Sequence, residues 1–315
     1  MVTVTQLACF RCLVEEKSVT EAAQRLCVTQ PAVSQQLRLL TETLGCRLFH
    51  RRGREFQLTQ EGQFVYEKAK GILFQLDGLE DELRSRGRDV VGKVRIGSGQ
   101  VAAKTVVADA VHDMSVEYPD VSFSLCETNS VNLPELILSS RIDLGVGILA
   151  ENRRGLRTER LLTGRLLLVC SRQSKLSSRK SMSRSELKAL NLIRHSREDM
   201  ARGIAYELYG EDEMGSKFQL EAMNTETIMS YVQRDLGVAL ASSYTIEWLR
   251  PSGIATVELA EETDIPWGVM SDASLPMAKA AKVFVNKLRQ MFATPAAAEA
   301  IAPRRSGAAR QGRGQ

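Results

Sequence analysis

Ser18-Val19-Thr20-Glu21-Ala22-Ala23-Gln24-Arg25-Leu26-Cys27-Val28-Thr29-Gln30-Pro31-Ala32-Val33-Ser34-Gln35-Gln36-Leu37-Arg38 is the stretch on which the fold turns. Ser18 followed three residues later by Glu21 is a capping box, so a helix starts here and carries Ala22, Ala23 and Leu26. The small alanines let another helix approach closely. Cys27-Val28-Thr29 then makes a short turn, Thr29 caps the next helix, and Pro31 sits in its first turn, where a missing N–H costs nothing. That helix places Val33, Leu37, Leu40 and Leu44 on one face and leaves Gln30, Ala32, Ser34, Gln35 and Arg38 on another. Upstream, Leu7, Phe10, Leu13 and Val14 recur at helical spacing and predict a first helix from about Thr5 to Glu16.

Two short helices joined by a tight turn, the second with an amide-rich exposed start, form a helix-turn-helix whose second helix enters the major groove N-terminus first. Gln30, Ser34 and Gln35 then meet base edges, because glutamine pairs bidentately with adenine and serine with several bases; Arg38 is better placed for phosphate. Thr29 and Pro31, at the start of the same helix, complete the candidate set. Further on, the run from Cys46 to Thr59 alternates on both sides of Gly53 and predicts a hairpin, or wing, whose tip carries Arg51, Arg52 and Arg54 for phosphate or a narrow minor groove. From Arg25 to Arg54 six arginines (25, 38, 47, 51, 52, 54) stand against one acid, Glu42. The alternatives at both places are a solvated polar helix face and a solvated charged turn.

These residues resemble the LysR-type transcriptional regulators. The family's N-terminal pattern matches as Ser18-Val19-Thr20-Glu21-Ala22-Ala23, Leu26, Val28-Thr29-Gln30-Pro31-Ala32-Val33-Ser34, Leu44-Gly45, Leu48-Phe49, Arg51 and Leu58-Thr59 with Gly62. The resemblance implies an α/β protein overall: an all-α winged helix-turn-helix over residues 1–58, a linker and dimerisation helix with hinge over 59–91, and a two-subdomain effector domain of periplasmic-binding-protein type over 92–293. Its subdomains would be 92–162 with 267–293, and 163–266, with a basic, disordered tail over 294–315. It also implies double-stranded promoter DNA and a small-molecule effector, an anion among the candidates, as partners. A homodimer that pairs into a tetramer belongs to the same expectation, with RNA polymerase a further candidate partner.

After Thr59, Val65, Ala69, Ile72, Leu76, Leu79 and Leu83 recur at alternating steps of four and three, a heptad seam that predicts a two-stranded dimer interface. Packing against the chain's own body is the alternative. Dimerisation would join two winged modules and ask for a pseudo-palindromic operator with half-sites about one helical turn, or a multiple of it, apart.

From Gly92 onward, short apolar runs alternate with helical patterns, which means α/β. The expected strands include Val94–Ile96, Val121–Leu125, Leu144–Ile148, Leu166–Val169, Leu192–Ile193, Val238–Ala241 and Val269–Met270. Effector-binding candidates lie where strands end: Ser98 and Gln100, then Thr128, Asn129 and Ser130, from the first subdomain, and Ser196, Arg197, Asn224 and Thr225 from the second. Arg197 would pair with a carboxylate or sulfate. Where the family has a glycine before a Leu-Gly-Val strand this chain has Asp235, which tolerates a left-handed turn less well.

A second reading rests on Gly97-Ser98-Gly99-Gln100-Val101-Ala102, which matches the dinucleotide pattern G-x-G-x-x-A with Glu127 as the distal acid, and would make a redox or catalytic α/β protein. The acid comes thirty residues after the first glycine instead of about twenty, which counts against it.

Hydrophobic residues at 43% and charged residues at 25% exclude wholesale disorder, and no apolar run approaches the roughly 18 residues of a membrane span. Without an export leader, a cytoplasmic location is expected. The net charge of +4 equals the four arginines 304, 305, 310 and 313 of the acid-free last thirteen residues, so residues 1–302 sum to zero and overall charge says little about partners. Cys9 and Cys12 read as buried thiols one helical turn apart, and no metal or cofactor site is expected. Because His50, His112 and His195 have no nucleophile-and-acid neighbours, no catalytic residues are expected and the protein reads as not an enzyme.

Overall fold

The computed structural model describes residues 1–52, 55–84, 90–150, 153–195, 220–261 and 263–293, with backbone alone for 51–52, 55–56, 77–84, 184 and 195. It divides into two compact units, Met1–Gly92 with Ala273–Ala278, and Lys93–Asp272 with residues from Lys279 onward. No described helix is long and apolar enough to cross a membrane.

The first unit is α1 (Val4–Glu16), α2 (Val19–Arg25), α3 (Gln30–Leu44), the antiparallel hairpin β1 (Phe49–Arg52) and β2 (Glu55–Leu58), and the long α4 (Gln60–Arg84). Each helix start is chemically marked. Thr3 and Gln6 form a reciprocal capping box on α1, and the Ser18 hydroxyl accepts the Glu21 N–H at 3.4 Å, which is half of the box expected there. Thr29 caps α3 by accepting the Ala32 N–H, and Gly45 ends it in the left-handed conformation, φ 67°. Phe10 and Leu13 of α1 pack with Ala23, Val33, Leu37 and Leu40 in one core. Leu44, expected on that core face, is 37% exposed because it sits in the last turn, beyond the reach of α1.

The second unit adds β3 (Gly92–Ser98), α5 (Gln100–Lys104), α6 (Val106–Glu117), β4 (Val121–Glu127), α7 (Leu133–Leu138), β5 (Leu144–Ile148), β6 (Leu156–Ser171), a 3-10 turn at Lys175–Ser178, β7 (Ser181–Met182) and α8 (Arg184–Leu187). Then follow β8 (Arg194–His195), β9 (Glu221–Ala222), α9 (Thr225–Gln233), β10 (Ala239–Ser242), α10 (Ser243–Leu249), β11 (Ile254–Leu259), β12 (Asp264–Asp272) and α11 (Lys279–Phe292). One described sheet runs β4-β3-β5-β12-β6-β11-β7, with β10 also on β6. Its centre is a long antiparallel ladder in which β6 and β12 serve two lobes at once. Their ends at Leu156 and Asp272 belong with β3 and β5, whereas Leu166–Val169 of β6 pairs with β10 and the register continues onto β11. Thr163 faces Pro266 at the crossing.

Each lobe has its own apolar cluster: Leu133, Ile137, Ile142, Leu149 and Met270 in the first, and Val169, Ile193, Ile228, Val232 and Ala239 among others in the second. Strand β11 was not expected from the sequence, and of the expected Leu192–Ile193 strand only an isolated parallel bridge from Leu192 to Val238 forms. Asp235 takes the left-handed conformation itself, φ 57°. Its N–H bonds the Val232 carbonyl at 2.9 Å, so the turn keeps the geometry glycine would give, with the strain of a Cβ added. Asp235→Gly is expected to stabilise the second unit by about 0.5–1 kcal/mol, read as a higher urea midpoint at unchanged slope.

Candidate nucleic-acid interface and ligand cleft

The winged unit presents one bare helix face. Val33, Leu37 and Leu40 are buried, so the 3.6-residue period turns Gln30, Pro31, Ser34, Gln35 and Arg38 outward, all exposed. Their chemical states differ. The Gln30 side-chain amide donates to the Thr20 hydroxyl at 2.7 Å, which ties the start of α3 to α2 and leaves the amide oxygen unspent. Ser34 and Gln35 make no side-chain hydrogen bond to described residues. Arg38 lies 3.7 Å from Glu42, but both side chains are largely exposed, so that pair holds the guanidinium only weakly. Thr29 is committed to its capping bond.

The arginines of the basic run are not equivalent. Arg25 donates from Nη1 to Glu15 at 2.5 Å and to Glu16 at 2.9 Å, which closes α2 onto α1 and removes it from the phosphate-facing set. Arg51 and Arg52 lie on β1 with their backbones opposite Phe56 and Glu55 in the hairpin register; Arg54 lies outside the described residues. Cys9 and Cys12 are buried in α1, and burial pushes both thiols above their ordinary range, so they are protonated packing groups at neutral pH.

The heptad stripe on α4 divides. Ala69 is wholly buried and Val65 packs against the same core, together with Tyr66 and Leu73. The first turns of α4 form a wall of the winged unit, so Ala69 is spent within the chain, a correction to its expected place in the dimer seam, while Val65 is half-buried. Ile72 and Leu76 are 43% and 41% exposed. Leu79 and Leu83 follow on the same helix, with backbone alone described.

In the second unit, a cavity of about 120 Å³ lies between the lobes. The expected residues Gln100, Asn129, Ser130, Asn224 and Thr225 line it. Asn224 caps α9 by accepting the Glu226 N–H at 2.8 Å, and the Ser130 hydroxyl accepts the Ile148 N–H at 3.2 Å. Ser98 and Thr128 do not line it. Ser98 is fully buried and its hydroxyl donates to the Val146 carbonyl at 3.0 Å, stitching β3 to β5, while its carbonyl receives the Thr128 N–H at 2.9 Å. Ser98 builds the frame behind the cleft through its hydroxyl, and Thr128 joins that frame through its backbone, its own hydroxyl accepting from the Asn132 amide at 3.3 Å. Ser196 and Arg197 lie outside the described residues.

Sequence reasoning missed Tyr244, Thr245, Trp248 and Trp267, which also line the cavity. A signal was available: the chain has two tryptophans, and both are here. Gly164 explains how Tyr244 reaches its place, since a Cβ on that glycine would come within 2.4 Å of the ring. Lys104 of α5 and Glu226 of α9 form an ion pair from one lobe to the other.

The dinucleotide pattern has a different use. A Cβ on Gly97 would meet Ile142 at 2.5 Å and Leu133 at 2.8 Å, so this glycine serves core packing. The helix it precedes ends at Lys104 after five residues, too short to supply the long crossover helix of a nucleotide fold.

Comparison with known proteins agrees with this layout. The model of the LysR substrate binding domain matches residues 87–293, and that of the bacterial regulatory helix-turn-helix protein, lysR family, matches residues 4–63. The chain belongs to the LysR family of transcriptional regulators. The HTH-type transcriptional activator CmpR of a Synechocystis species is 27% identical over 244 residues, 78% of this chain and 80% of that protein. The HTH-type transcriptional regulator TtuA of Agrobacterium vitis is 27% identical over 281 residues, 87% and 90% of the two chains. A full-length OxyR variant from Pseudomonas aeruginosa shares the fold with a TM-score of 0.68 at 18% identity, covering 92% of this regulator and 98% of that chain. Full-length CbnR in complex with its target DNA shares it with a TM-score of 0.53, again at 18% identity, over 92% and 99%. The family-level match supports the regulator over the dinucleotide-binding reading.

Because Ser98 is a frame residue, Ser98→Ala is expected to lower the stability of this unit by about 1 kcal/mol in urea unfolding. Ligand affinity should change less than about twofold, well under the tenfold that 1.4 kcal/mol would give; a larger loss of affinity at normal stability would return Ser98 to the ligand-binding set.

Proposed function

We propose that this LysR-family regulator reads promoter DNA with the bare face of α3 and changes its promoter complex when a small molecule binds between the two lobes of the second unit. The observation that carries the reading is the row of exposed, largely uncommitted polar side chains on a helix whose opposite face is locked into the core. Gln30, Ser34 and Gln35 are the base readers and Arg38 a phosphate contact, joined on sequence grounds by Arg51, Arg52 and Arg54 of the wing. The regulator acts in the cytoplasm, without catalysis of its own. Effector binding alters promoter affinity or bending only through unequal affinity for two lobe arrangements.

Fluorescence anisotropy with a set of single-base operator variants tests the assignment. Gln30→Ala and Ser34→Ala are expected to relax preference at particular base pairs, by ~1–3 kcal/mol where a bidentate contact is lost. Arg38→Ala should weaken every duplex alike and reduce the salt slope by about one. Uniform weakening by the Gln30 and Ser34 changes would overturn their role as readers.

Two copies joined through the exposed part of α4 would deliver two such helices to successive major-groove half-sites. Ile72→Asp and Leu76→Asp together are expected to shift the sedimentation profile toward monomer at micromolar concentration, because each places a charge in an apolar seam. An unchanged profile would place the interface elsewhere.

A further inference from the structure

The lining of the interlobe cleft is chemically uneven. One side is aromatic. Trp248 of α10 and Trp267 of β12 meet edge to face with centroids 5.0 Å apart, and Tyr244 lies 5.1 Å from Trp248. Trp267 is only 2% exposed and fixed in the ladder, whereas Trp248 is half-buried and keeps ring surface turned to the cavity. The first lobe brings polar groups that are not consumed by the fold. The side chains of Gln100 and Asn129 make no hydrogen bond to described residues. The Ser130 hydroxyl, having accepted from Ile148, retains its own proton to donate. Among the described lining residues none is charged, and the neighbouring Lys104 and Glu226 neutralise each other.

Size narrows the occupant further. A cavity of about 120 Å³ is slightly smaller than the roughly 150 Å³ space that takes up one benzene in a protein core. The enclosed space is therefore on the scale of a single ring, and the cleft is open on one side, so a substituent can extend beyond the ring toward the amides and the hydroxyl.

We propose that the effector is a single-ring aromatic compound with one hydrogen-bonding substituent, its ring against Trp248 and its substituent toward Gln100, Asn129 and Ser130. This rests on the reading of the cleft as the effector site. An aromatic ligand gains from the Trp248 face what a saturated ring of similar size cannot, because the attraction of offset or edge-on rings adds to burial. An aliphatic diacid would leave the tryptophan wall unmatched.

Both tryptophans line the cleft, so the intrinsic emission of the full chain reports on it directly. Titration with benzoate, cyclohexanecarboxylate and succinate, followed by promoter binding at saturation, makes the test. Benzoate is expected to change the emission and to bind about three- to tenfold more tightly than cyclohexanecarboxylate, with succinate weakest. Trp248→Leu, followed through Trp267, should abolish the preference between the two ring acids. Gln100→Ala, which leaves the core untouched, should weaken both ring acids equally. Equal binding of the two ring acids, stronger binding of succinate, or binding of none of the three would overturn the aromatic assignment. If succinate binds best and alters the promoter complex, the effector-site reading survives while the ring assignment falls. If benzoate binds as expected and promoter binding does not change, the ring assignment stands and the effector-site reading falls.

Discussion

A helix of fifteen residues is marginal in water by itself, so α3 holds its shape only because one stripe of it is buried. Val33, Leu37 and Leu40 lie against Phe10 and Leu13 of α1, and this contact fixes which residues stay outside. Rotation of α3 by one position would bury Ser34 and expose Val33, so the apolar stripe sets the angular position of every candidate base reader. The termini are pinned as well. Thr29 and the Gln30–Thr20 bond hold the start against α2, while Gly45 turns the chain toward the wing. Arg25, spent on Glu15 and Glu16, adds to this rigidity by holding α2 against α1.

In the second unit the comparable constraint is the β6–β12 ladder. Two strands that each pass through both lobes keep the lobes connected by backbone hydrogen bonds while leaving a cleft beside the Thr163–Pro266 crossing. The bare backbone of Gly164 lets the Tyr244 ring settle there, and the Ser98 hydroxyl holds β3 and β5 together where α5 begins. The Lys104–Glu226 pair joins the lobes weakly, since both side chains are more than a third exposed. A connection of this kind permits small changes in lobe arrangement, and a ligand that favours one of them shifts the population.

Much of this was legible in the sequence because it is local. Ser18, Thr29 and Gly45 mark helix ends through bonds to their own neighbours and Pro31 through its missing N–H in the first turn, and the wing follows from alternation around Gly53. Chain-remote relations were not legible. The stripe from Val65 to Leu83 keeps one heptad pattern throughout, yet Ala69 is buried against α1 to α3 while Ile72 and Leu76 are exposed, a division that depends on where the winged unit ends. Ser98 and Gln100 stand two residues apart, but Ser98 closes β3 and bonds into the sheet whereas Gln100 opens α5 and lines the cleft, a division set by where the strand gives way to the helix. Tyr244, Trp248 and Trp267 escaped notice because they come together only through the return of β12 along β6.

The position of α3 gives the regulator its purpose only if duplex sequence is what the exposed face recognises. The most direct measurement is competition, with the full wild-type chain at near-physiological salt, between the DNA upstream of its own gene and a random duplex of equal length. Preference for the upstream DNA by about a thousandfold or more is the result expected of base reading by this helix. Equal affinity for the two duplexes, falling steeply and identically with salt, would mean that only phosphate is sensed and would contradict it.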